Sequence, residues 1–122
     1  MREIKFRGLR VDGKGWVYGA LFTDNQKTMI RWMHNPLTND YTDIEVKPES
    51  VGQFTGLKDK NGTDIYEGDV MYCSDMYYKL VKHEGGNYEL HEVGTDKVYH
   101  LFMELKHIEI IGNIHEGKYK QQ

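Results

Sequence analysis

Cysteine appears once in the 122 residues, at Cys73, so no disulfide can form within one chain and no zinc site can be assembled from paired thiolates. Proline appears twice, at Pro36 and Pro48, and neither a repeat nor a low-complexity linker marks a boundary between domains. Positive charge is not in excess. Sixteen Lys and Arg stand against nineteen Asp and Glu, for a net charge of -3 and a pI near 6.0, which removes the strong attraction to phosphate backbones that clustered basic residues provide. No apolar run reaches the length of a signal-peptide core or a membrane span, and the opening MREIKFRGLR is charged throughout. The expectation is a soluble cytoplasmic protein with no membrane partner.

What is present is aromatic. Nine tyrosines and two tryptophans bring the aromatic content to 12%, yet the mean hydropathy is -0.71. That combination predicts a thin core, with aromatic side chains on half-buried strands or at interfaces. A chain of this length is most simply one domain, able to bury roughly two-thirds of its unfolded surface.

Apolar residues alternate with polar ones in short stretches broken by turn residues, the pattern of antiparallel strands. Ile4 and Phe6 alternate with Lys5 and Arg7; WVYGALF at 16–22 and TMIRWM at 28–33 follow, flanking the turn TDNQK. YTDIEV at 41–46 alternates again and ends before Pro48. YYKLVKHE and NYELHEV flank Gly85-Gly86 as a hairpin. Residues 98–105, VYHLFMEL, fit both a helical and a strand template, and are read as a strand running into a turn near Lys106. Ile108, Ile110 and Ile111 supply the last and most apolar strand. These features predict an all-β, mainly antiparallel fold: a small SH3-like barrel or roll at 51–117, an additional N-terminal β region at 1–50 and a flexible tail at 118–122.

The stretch FTGLKDKNGTDIYEGDVMY at 54–72 carries the carboxylates of Asp59, Asp64, Glu67 and Asp69 around an Asn61-Gly62 pair. A two-residue loop at Asn61-Gly62 would set Asp59 against Asp64, a repulsive cross-strand pair. A type I turn over 59–62, closed by a left-handed Gly62, instead sets Lys58 against Asp64 and Leu57 against Ile65. The second register is predicted. Asp59, Asn61, Gly62, Gly68 and Asp69 are therefore read as structural turn residues, with Asp69 holding the amides of a bend at Gly68.

Three blocks, REIKFRGL at 2–9, QFTGLKDKNGTDIYEGDVMY at 53–72 and IEIIGNIHEG at 108–117, together resemble the YopX-like family of small bacteriophage and prophage proteins. They span nearly the whole chain in the family's order. Gly8-Leu9 stands where the family usually has alanine and tryptophan, and the last block departs near His115 and Gly117 from the usual tyrosine and asparagine. The resemblance implies a β-rich, SH3-like architecture and a phage or prophage origin. It supplies no catalytic residues to carry over.

Function is read by elimination among three classes. An enzyme would use Asp59, Asp64, Glu67 and Asp69, in concert with a divalent cation. Those acids are interleaved with Lys58 and Lys60, and no nucleophile motif, P-loop or diagnostic His–acid spacing accompanies them. His83, His91, His100, His107 and His115 recur about once per strand without the local pairs of zinc sites. No cofactor and no metal is expected. A nucleic-acid module would stack bases on Tyr72, Tyr77 and Tyr78 beside Lys79, with Arg2, Lys5, Arg7 and Arg10 as a basic strand, but the negative chain disfavours it. The reading adopted is a non-catalytic protein-interaction or self-assembling module, a homo-oligomer that also binds a phage or host protein. Its candidate interaction surface is Trp16, Trp32, Tyr41, Tyr77 and Tyr78.

Overall fold

A computed structural model describes residues 4–73, 75–82, 87–100 and 108–115. Among the described residues eleven strands occur in the order β1 (Phe6–Leu9), β2 (Trp16–Asp24), β3 (Lys27–Asn35), β4 (Asp40–Glu45), β5 (Gly52–Lys58), β6 (Asp64–Tyr66), β7 (Asp69–Cys73), β8 (Met76–Lys82), β9 (Tyr88–Glu92), β10 (Val98–His100) and β11 (Glu109–Asn113). One 3₁₀ turn, Pro48–Ser50, lies between β4 and β5. The protein is all-β, and its strand pairs are antiparallel. It divides into two compact units, Met1–Phe54 and Thr55–Gln122.

The first unit orders its strands β4-β3-β2-β1, followed by the start of β5. Its core grows from one face of this sheet. Ile30 stands opposite Ile44 on β4 and Leu21 on β2, and Val17 stands opposite Gly8. Ile30, Ile44, Val17 and Val46 form the buried cluster, with Phe6 and Val51 against it. Burying such side chains contributes about 1.5–3 kcal/mol each. The β2–β3 hairpin closes on Asn25 and Gln26, both with positive φ (53° and 67°), as a two-residue turn matching the strand twist requires. The β3–β4 connection is braced by Asn35, whose Oδ1 accepts the Leu37 N–H at 3.0 Å and whose carbonyl accepts the Thr38 N–H at 3.3 Å.

In the second unit the remainder of β5 joins β6 through a tight turn, and five strands form a ladder in the order β10-β9-β8-β7-β11. Leu80 faces Leu90, and Met71 faces both Tyr78 and Ile110. With Ile65, Tyr88 and Ile108 these residues make the second core. The ambiguous segment 98–105 begins as a strand at Val98–His100. Its continuation to 107, the Gly85-Gly86 turn and the tail at 118–122 lie outside the described residues. Ile111 falls at a register shift between Ile110 and Gly112, so the isoleucine run of β11 is bulged.

Candidate interaction surface

Successive side chains of a strand point to opposite faces, and an antiparallel sheet with one face on a core normally turns polar residues outward on the other. The first unit does not follow that rule. Opposite the Ile30 core face, the pairs Phe22↔Met29, Ala20↔Arg31 and Met33↔Tyr41 place apolar and aromatic side chains side by side. Tyr18, Met33 and Tyr41 are exposed. Arg31 organises this face. Its guanidinium lies 5.1 Å from the Phe22 ring centre and 4.0 Å from that of Tyr41. Nε and Nη2 of Arg31 donate to the two Asp43 carboxylate oxygens at 2.8 and 3.0 Å. Hydrogen bonding to Arg31 holds the Asp43 carboxyl below its ordinary pKa, and the Arg31 guanidinium is raised in turn by its bond to Asp43.

A cleft opens where two strands part. The β2–β3 ladder runs from Asp24↔Lys27 to Ala20↔Arg31; beyond it β2 continues along β1 and β3 continues along β4. Gly19 marks the parting point, where a Cβ would stand 2.0 Å from the Arg31 carbonyl oxygen. The cleft has a volume of about 240 Å³ and is lined by Arg10, Trp16, Val17, Tyr18 and Trp32. Trp32 is 45% exposed and tilts against His34, with ring centres 4.2 Å apart. His34 Nε2 is in turn 2.6 Å from Thr42 Oγ1. Arg10 at the rim is paired with Asp12 at 2.8 Å.

The five aromatic residues singled out in the sequence are thus distributed unequally. Trp16 and Trp32 line one cleft, and Tyr41 belongs to the Arg31 cluster. Tyr77 and Tyr78 lie in the second unit on opposite faces of β8: Tyr77 pairs with Tyr72, ring centres 5.1 Å apart, while Tyr78 pairs with Met71 and meets Tyr99 edge-on at 6.0 Å. Burial first, then the Glu92 carboxylate, raises the Tyr78 phenol. Leu37, Met33, Tyr18 and Arg31 escaped the sequence reading. The signal for Leu37 was present, since it is the one large apolar residue in the loop NPLTND.

The basic residues proposed for nucleic acid are engaged locally. Lys5 Nζ lies 4.7 Å over the Phe54 ring, Arg7 is buried with its guanidinium 4.8 Å over Trp16, and Arg10 is paired with Asp12. Arg2 lies outside the described residues.

The carboxylates of 59–69 take separate places. Asp59 is 7% exposed; its Oδ1 accepts the N–H groups of Asn61 and Thr63, both at 2.9 Å, and its Oδ2 accepts that of Ile110 at 3.0 Å. Burial alone would raise this carboxyl, but the amides of Ile110, Thr63 and Asn61, aided by the Lys60 charge, bring it below its ordinary value. The turn closes with Gly62 N–H donating to the Asp59 carbonyl at 3.0 Å, Gly62 having φ 81°. Asp64 is ion-paired with Lys58 at 2.5 Å. Asp69, almost fully buried, accepts the Tyr66 N–H at 2.8 Å. Gly68 donates to the Leu80 carbonyl at 3.0 Å and accepts the Ile114 N–H at 2.9 Å. Among the described residues no three of His, Cys, Asp and Glu come together in a group fit to hold a metal ion. His91 lies 3.2 Å from Glu89, and His83, His107 and the His100 side chain are outside the described set. Among the described residues no helix is long and apolar enough to cross a membrane.

These features define a small antiparallel β protein that carries an aromatic-lined cleft in its first unit. The particular family follows from its sequence: a model of the YopX protein family matches residues 5–118, and the chain belongs to that family. Compared with curated proteins, it matches none.

Proposed function

We propose that this YopX family member is a non-catalytic interaction module that associates with itself through the first unit. The observation that carries the reading is the aromatic surface of the β2-β3-β4 sheet, where Tyr18, Met33 and Tyr41 stay exposed on the face opposite the Ile30 core, while Trp32, on the Ile30 face, stays exposed beyond that core. Tyr, Trp, Met and Arg are the residue types enriched at protein interfaces, and Arg31 among Phe22 and Tyr41 is already ordered for contact at little entropic cost. A phage or host protein is the second occupant this surface would serve, and the proposed setting is the cytoplasm of a phage-bearing host. Of the tyrosines a base-stacking platform would use, Tyr72 and Tyr77 share one face of the sheet and Tyr78 lies on the other.

Sedimentation velocity across a concentration series tests this. The wild-type chain is expected to sediment as an oligomer that dissociates on dilution, and Tyr41→Ser combined with Met33→Ser is expected to lower its association constant about tenfold or more. A monomer at every concentration would refute self-assembly.

A further inference from the structure

Building on the self-assembly reading, we propose that Leu37 of one copy seats in the Trp16–Trp32 cleft of a second copy, so that each chain gives one knob and receives one in a closed pair. Leu37 is 95% exposed, so it does not occupy the cleft of its own chain. The backbone that presents it is nevertheless braced, because the Asn35 side chain and carbonyl hold the N–H groups of Leu37 and Thr38. A loop tip whose backbone is already braced loses little further backbone freedom on docking, which leaves the leucine rotamers as the ordering cost. Single exposed leucines are ordinary on protein surfaces. This one is distinguished by a matching receptor on the same unit.

Size and charge both fit. Cavities of about 150 Å³ accept a benzene ring, so the cleft of about 240 Å³ has room for a leucine side chain. Its walls, Trp16, Val17, Tyr18 and Trp32, offer the aromatic and aliphatic surface that apolar anchors select. The chain beside the cleft, residues 10–18, carries Arg10 and Lys14 against the single carboxylate of Asp12, an excess of positive charge. The loop that presents Leu37, residues 35–40, carries Asp40 as its only charge. Docking therefore brings an acidic loop to a basic rim, which sets orientation and speeds encounter. Exchange between two identical chains closes the assembly and leaves no knob or cleft unused.

The test is complementation by two variants, each checked for native circular dichroism. Leu37→Asp keeps the cleft and loses the knob, while Trp32→Ser keeps the knob and spoils the cleft without setting a second carboxylate against Asp at position 37 in the mixed pair; both positions are exposed, so folding is expected to survive. Each variant alone is expected to sediment as a monomer at concentrations where wild type is a dimer. Their equimolar mixture is expected to regain dimer through one intact knob-and-cleft contact, weaker than wild type by about tenfold or more. Asp40→Lys is expected to weaken the wild-type dimer several-fold, with restoration by Lys14→Glu. A wild-type oligomer unaffected by Leu37→Asp would overturn the knob while leaving self-assembly standing, and so would a mixture that fails to recover. A wild-type monomer throughout would overturn both.

Discussion

Asp59 and Ile110, fifty-one positions apart in the chain, are joined by a 3.0 Å hydrogen bond from the Ile110 N–H to Asp59 Oδ2. The other oxygen of the same carboxylate holds the turn that joins β5 to β6. One side chain thus fixes a local bend and ties it to β11, the last strand of the second unit. Asp59→Asn is expected to separate the two roles. An amide oxygen can still accept from Asn61 and Thr63, but the amide nitrogen would confront the Ile110 N–H, donor against donor. Chemical denaturation is expected to show a loss of about 1–3 kcal/mol, and amide exchange is expected to accelerate at Ile110 while Thr63 stays protected. Equal loss of protection at both sites would contradict the division of labour.

The same carboxylate gives acid sensitivity with a definite sign. Its folded pKa lies below the ordinary 3.8 because three backbone N–H groups outweigh burial. The stabilisation is therefore complete above the unfolded value and is lost as pH falls through the lower, folded one. The stability gap between wild type and Asp59→Asn is expected to be constant from near neutrality down to about pH 5 and to shrink below about pH 4. A gap that widens on acidification would show the shift to run the other way.

Gly19 is required by space. With a Cβ 2.0 Å from the Arg31 carbonyl oxygen, Gly19→Ala must push β3 away at the point where the cleft opens. The expected cost is about 1–3 kcal/mol, accompanied by a change in tryptophan emission, since both tryptophans line the cleft. Unchanged stability and emission would show that the strands separate freely there.

Gln26 pays for a left-handed backbone, at φ 67°, that glycine adopts without penalty. Gln26→Gly is expected to stabilise the protein by about 1 kcal/mol, read as a rise in denaturation midpoint at unchanged slope. A fall would mean that the Gln26 side chain contributes more than its backbone costs.

Alternation and turn chemistry made much of the fold readable. WVYGALF and TMIRWM each fall on a strand, as does YTDIEV up to Glu45, and avoiding like charges across the hairpin led to the register in which Lys58 meets Asp64, the pair the structure holds as an ion pair. What could not be read depends on distant partners. Nothing near Asp59 in sequence announces Ile110, and nothing in the isoleucine run announces the bulge at Ile111. Grouping Tyr77 with Tyr78 overlooked a rule that was available, since adjacent strand residues face opposite ways. The cleft was hidden for a physical reason: it exists because two strands part at Gly19, and local pattern carries no information about where a ladder ends.

Self-association through the cleft is tested most directly by the emission of Trp32 alone, in a Trp16→Phe chain, followed with acrylamide quenching on serial dilution. A buried, poorly quenched indole is expected at high concentration, becoming exposed and shifting to longer wavelength as the oligomer dissociates. Emission and quenching that stay constant across the whole range, at the values of an exposed indole, would contradict it.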